Sequence, residues 1–66
     1  MAEQEFEYEA DGKKYGCSYR VTGGKHPMIE VTTPWGSKPT QLGGTPAIIL
    51  ARVMAGELYR KHRLMN

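Results

Sequence analysis

Strict alternation marks the first third of the chain. Over residues 5–10, EFEYEA, the residues Phe6, Tyr8 and Ala10 fall on one side and Glu5, Glu7 and Glu9 on the other, the period of a half-buried strand. Asp11-Gly12 follows, a dipeptide suited to the two-residue hairpin turn whose central positions both need positive φ. Residues 13–22, KKYGCSYRVT, alternate again, with Tyr15, Cys17, Tyr19 and Val21 on one side. A two-residue turn pairs Ala10 with Lys13, Tyr8 with Tyr15 and Phe6 with Cys17, so apolar meets apolar. On the other face Glu9 meets Lys14, Glu5 meets Ser18, and Glu3 lies near Arg20. A slip of one residue would set apolar side chains against charges.

Gly23–Pro27 reads as a loop, and residues 28–33, MIEVTT, as a third strand with Ile29 and Val31 inward. Pairing Val21 with Ile29 and Tyr19 with Val31 keeps one face buried and sets Arg20 opposite Glu30. Pro34-Trp35-Gly36 is a turn. Residues 37–42 form a short fourth strand, an edge or irregular one because Pro39 has no N–H. Gly43-Gly44 then breaks the chain before a helix over about residues 46–63. Thr45 is suited to its N-cap and Pro46 to its first position. Arg60, Lys61, His62 and Arg63 fall at its C-terminal end, where cations favour the helix dipole. The expected fold class is α+β: an antiparallel meander of three to four strands, then one C-terminal helix packed on one face, in a single domain over residues 1–66.

That helix is apolar on two faces. At about 100° per residue, Ala47, Leu50, Ala51, Met54, Ala55 and Leu58 make one stripe, flanked by Ile48 and Tyr59. Ile49 and Val53 lie on the other side, with Arg52, Gly56 and Arg60 near them. Scattered surface aliphatics are ordinary, but a chain of 66 residues buries a thin core and gains from oligomerisation. Gly56 costs roughly 1 kcal/mol relative to Ala inside a helix, and a small residue there would admit a second backbone. The expectation is a homodimer through Ile49, Val53 and Gly56, with Arg52 and Arg60 beside them.

Charge and chemistry narrow the picture. The net charge is +2, yet five acids (Glu3, Glu5, Glu7, Glu9, Asp11) lie in the first eleven residues, and all nine Lys and Arg follow against only Glu30 and Glu57. Cys17 is the one cysteine, so no disulfide forms within the chain, and a lone thiol in a strand is expected to be a small buried hydrophobe. His26 and His62 lack any metal-ligand spacing, and no cofactor or metal is expected. No nucleophile–base set or phosphate-cradling loop is present, which points away from an enzyme. The start, MAEQEFEYEA, has no basic or apolar leader character, and no run approaches the roughly 18 apolar residues of a membrane span. With a single cysteine, the expected location is cytoplasmic.

Function is therefore expected to be non-catalytic binding, to a second copy or to another protein. The alternative is a weak nucleic-acid-binding regulator that uses Lys25, His26, Trp35, Lys38, Arg60, Lys61 and Arg63. For it stand the basic surplus after residue 12 and Trp35 at a turn tip, since stacking plus phosphate contact is how small folds hold single strands. Against it stands an outer sheet face of mixed sign with no aromatic platform. Trp35 is either a lid on the open end of the core or an exposed anchor. In element order the chain resembles the second half of double-stranded-RNA-binding domains, and also the dimeric coactivators that bind single-stranded DNA. The first family carries lysines at the start of its terminal helix, where this chain reads Thr45-Pro46-Ala47-Ile48. The second carries a basic concave sheet, which the glutamate ladder opposes. Order of elements alone does not give membership of either.

Overall fold

The computed structural model of the chain describes residues 3–64. Strands β1 (Gln4–Ala10), β2 (Lys13–Thr22), β3 (Met28–Thr33) and β4 (Gly36–Gln41) form one antiparallel sheet in the order β1-β2-β3-β4, and helix α1 (Ala47–Leu64) follows. The α+β meander read from the alternation is the observed architecture, with the fourth strand present.

The first hairpin has the expected register: Phe6 lies opposite Cys17, Tyr8 opposite Tyr15 and Ala10 opposite Lys13. Its turn places Asp11 at φ 53° and Gly12 at φ 75°. Glycine enters that region without steric cost, and aspartate tolerates it better than most residues. Between β2 and β3, Val21 faces Ile29, Tyr19 faces Val31 and Arg20 faces Glu30, and the Arg20 guanidinium donates to the Glu30 carboxylate at 3.0 Å. One expected contact is redirected. Glu3 accepts a hydrogen bond from the Ser18 hydroxyl at 3.1 Å, while Arg20 is taken by Glu30.

The helix lies mainly over β3. Ala51, Met54 and Ala55 are buried against Phe6, Cys17, Ile29 and Val31, and Ala47, Leu50, Tyr8, Tyr19, Val21 and Leu42 close around them. Two alanines at the contact let the helix come close to the sheet, and Ile29 and Val31 beneath it are wholly buried. The Cys17 thiol is buried as expected, and burial pushes its pKa above the ordinary value, which disfavours the reactive thiolate. The helix starts one residue later than the Thr45 cap implies: the Pro46 carbonyl accepts from both Ile49 and Leu50 N–H at 3.1 Å, so it opens the ladder itself. No helix among the described residues is long and apolar enough to cross a membrane.

Connectivity decides which ends meet. In a meander, the β1–β2 and β3–β4 turns share one end of the sheet, and the β2–β3 loop lies at the other. Strand β4 runs away from the shared-turn end and finishes beside that loop, where Leu42 N–H donates to the Pro27 carbonyl at 3.0 Å. The 18-residue helix then runs back about 27 Å at 1.5 Å per residue. Its last turns therefore arrive at the two hairpin tips.

The core rests on few side chains, so each counts. Ile29→Ala is expected to cost about 2–5 kcal/mol, comparable to the whole stability of so short a domain. Urea titration followed by far-ultraviolet circular dichroism should show most of the cooperative transition lost.

Candidate functional site

The shared-turn end gathers the aromatic residues. Tyr8 and Tyr15 are cross-strand partners on the helix side of the sheet. Trp35 comes from the β3–β4 turn and Tyr59 from the penultimate helical turn. The rings of Trp35 and Tyr15 stand edge to face with centroids 4.8 Å apart, those of Trp35 and Tyr59 at 5.0 Å, and those of Trp35 and Tyr8 at 6.1 Å. These are the preferred arrangements of packed aromatic rings. Trp35 is half-buried, so it covers the open end of the core while keeping one side accessible.

Local hydrogen bonds fix the turn that carries Trp35. Thr33 is buried, and its hydroxyl donates to the Gly36 carbonyl at 2.8 Å and accepts from the Trp35 N–H at 3.2 Å. Gly36 at φ 141° takes a conformation that side-chain-bearing residues avoid. Across the groove, Asp11 holds the end of the helix. Its carboxylate accepts from the Tyr59 hydroxyl and lies 3.5 Å from the Arg63 guanidinium. That guanidinium sits 5.9 Å from the centre of the Tyr59 ring, within cation–π range. The hydrogen bond to Asp11, followed by burial, raises the Tyr59 pKa.

Tyr15, Trp35, Tyr59, His62 and Arg63 line a shallow groove of about 410 Å³. Of these, Trp35 and Arg63 belong to the set expected from the sequence; Tyr15, Tyr59 and His62 do not, and neither does Asp11 beside them. The signal for them is topological rather than local: two short turns in a meander must share an end, and the helix must return to it.

The remaining expected contact residues are dispersed. Lys25 and His26 lie in the β2–β3 loop, at a recess with Pro27, Gln41 and Gly43. That is the opposite end of β3 from Trp35, roughly 20 Å away for six residues of strand. Lys25 and His26 therefore do not share one surface with Trp35. Lys38 on β4 pairs with Glu57 at 3.5 Å, both half-exposed. Arg60 and Lys61 are exposed on the helix. The outer sheet face is a broad concavity of about 700 Å³ lined mainly by acids and small residues, among them Glu3, Glu5, Glu7, Gly16, Ser18 and Thr32. Phe6, Cys17, Thr33 and Pro34 complete its lining. Among the described residues no cluster of His, Cys, Asp and Glu could hold a metal ion.

Ile49 and Val53 are each 53 % exposed on the helix, and Ile48 37 %. Gly56, grouped with them in the sequence reading, has an intramolecular reason to be small. A Cβ there would stand 3.0 Å from the Tyr8 hydroxyl oxygen, which reaches up the flank of the helix.

Two outcomes follow from these contacts. In a Tyr8→Phe background, Gly56→Ala should stabilise the fold by roughly 1 kcal/mol, the ordinary helix gain. In the parent the gain should be smaller, a coupling that a double-mutant cycle in urea measures. The second concerns pH. The folded-state pKa of Tyr59 lies above its ordinary value, so the Asp11–Tyr59 link is fully present below about pH 10 and is lost as pH rises through the folded value. Thermal unfolding between pH 8 and pH 11 should show a fall that is smaller in Tyr59→Phe.

No protein-family model matches the chain, and no curated protein or solved structure matches it either.

Proposed function

We propose that the protein is a small non-catalytic interaction module that associates with a second copy of itself through the outward face of its helix. The observation that carries this reading is the pair Ile49 and Val53, one helical turn apart and each 53 % exposed, on a chain whose buried apolar core, among the described residues, includes only four large aliphatic, aromatic or thioether side chains besides Cys17 and two alanines. Burying apolar surface contributes about 25 cal/mol per Å², and so thin a core gains proportionately more from it than a larger domain does.

The sheet edges support the helix as the contact. β1 presents Glu5, Glu7 and Glu9, which would face like charges in an edge-to-edge pair of two copies. β4 carries Pro39, which has no N–H to donate. Both are devices that keep strand edges from pairing. A two-fold contact through the helices instead sets Ile49 of one copy against Val53 of the other and the reverse, which is self-complementary. Arg52 and Arg60 flank that pair as a polar rim. Gly56 is left out of it, because its small size already serves Tyr8.

Sedimentation equilibrium at tens to hundreds of micromolar should give a dimer for the parent. Ile49→Asp or Val53→Asp should give a monomer with an unchanged circular dichroism spectrum. A parent that stays monomeric across that range overturns the reading.

A further inference from the structure

The two outer edges of the sheet are not alike. Strand β1 has β2 as its one neighbour in the sheet order. The hydrogen-bonded turn at Asp11-Gly12 makes Ala10 and Lys13 the pair that closes the hairpin, with their backbone groups directed at each other. Such pairs alternate along an antiparallel ladder. Gln4, Phe6, Tyr8 and Ala10 therefore direct their backbone groups at β2. Those of Glu5, Glu7 and Glu9 point away from it, to the free edge. The register runs without a bulge from Gln4 to Ala10, and the strand contains no proline. Strand β4, at the other edge, carries Pro39, which has no N–H to donate.

The side chains along β1 select what the edge can pair with. Directly opposite residues share a face of the sheet, so a strand added to β1 sets every second residue beside Glu5, Glu7 or Glu9 on the outer face. Among the described residues none of these three exposed carboxylates has a hydrogen-bond or ion-pair partner. Glu9 faces Lys14 across the hairpin, but Glu7 faces Gly16 and Glu5 faces Ser18. A Cβ on Gly16 would meet nothing within 4 Å, so the sheet floor beside Glu7 is bare. Glu5, Glu7 and Gly16 all line the broad outer concavity. Room for a long side chain and unmatched negative charge thus lie together. The alternate positions of an added strand fall beside buried Phe6 and half-buried Tyr8, where apolar side chains extend the flank of the core. A second copy of β1 fails there, because glutamate would face glutamate. A strand of opposite charge does not.

We propose that β1 is a docking edge for an extended segment of another protein, with Lys or Arg at every second position and apolar residues between, which joins the sheet as a further strand. The free backbone groups are the site, and the carboxylates choose its occupant. Basic side chains lay their stems over Gly16 and bring their charges to Glu5 and Glu7. Ile49 and Val53 lie on the outward face of the helix, away from this edge, so the docking edge and self-association can fail independently.

The probe is a capped, fluorescein-labelled peptide of seven residues, the length of β1, in which lysine and valine alternate. Fluorescence anisotropy at low salt reads its binding. One control peptide has proline at its centre, and another has glutamate in place of lysine. The lysine–valine peptide should bind, and both controls should bind more weakly by roughly tenfold or more. Residue-by-residue amide exchange, followed by NMR, should slow by roughly tenfold or more at Glu5, Glu7 and Glu9 in the bound state. Phe6 and Tyr8, already bonded to β2, should not change. Glu7→Lys should weaken binding roughly fivefold, Glu7→Gln should weaken it less, and Ile49→Asp should leave it as it is. Circular dichroism establishes that each variant is folded. No binding of the lysine–valine peptide at millimolar concentration overturns the proposal. So does equal binding of either control peptide, or binding that leaves the three glutamate amides exchanging as before, which is contact by charge alone.

Discussion

The Asp11-Gly12 turn is the constraint on which the rest depends. Its two positive φ angles hold β1 and β2 in one register, and that register decides which side chains face the helix. Moved by one residue, Tyr8, Phe6 and their partners would turn toward water and the glutamates toward the core. Asp11 then acts a second time. Its carboxylate takes the Tyr59 hydroxyl and lies beside Arg63, so the residue that sets the hairpin also receives the end of the helix. These contacts span 48 and 52 residues of chain and link its beginning to its end.

Elements with a strong local period were legible in the sequence. The pairings in β1–β2 and β2–β3 follow from two-fold alternation and turn length, and the structure has them. The sheet-facing stripe of the helix was also readable, because Ala51, Met54 and Ala55 share a 3.6-residue face. What alternation does not carry is the direction of flexible tips and long side chains. Composition alone groups Trp35 with Lys25 and His26, although β3 separates them. Alternation sets Glu3 near Arg20, although the Ser18 hydroxyl is nearer to hand. Gly56 fell on the outward face by angle alone. The long reach of Tyr8 along the helix flank, which accounts for its small size, is invisible to a helical wheel.

The uneven charge of the chain acquires a spatial meaning in the fold. Alternation in β1 sends its aromatic residues inward and its glutamates outward, so the acids collect on the sheet face away from the helix. The bases gather mostly at the helix end and the hairpin tip. The outer face is acidic near β1. The shared-turn end has both rings and cations, gathered in the groove of Tyr15, Trp35, Tyr59, His62 and Arg63.

The ion pairs Arg20–Glu30, Lys38–Glu57 and Arg63–Asp11 differ little in exposure, with side chains 46–63 % accessible, and exposed pairs of this kind contribute about 0–1 kcal/mol each. They therefore do not hold the helix end in place by themselves. The packed rings of Tyr8, Tyr15, Trp35 and Tyr59 offer the larger contribution, because aromatic contacts add about 0.5–1.5 kcal/mol each beyond the apolar area they bury. The helix end is thus anchored by the same rings that shape the groove. Trp35 is in turn oriented by the hydrogen bonds of Thr33 to Gly36 and to the Trp35 N–H. The outward aliphatics Ile49 and Val53 stand on the opposite half of the helix and take no part in that anchoring. One helix therefore carries exposed aliphatics near its start and a shaped aromatic groove near its end, with the sheet-facing stripe between them fixing both.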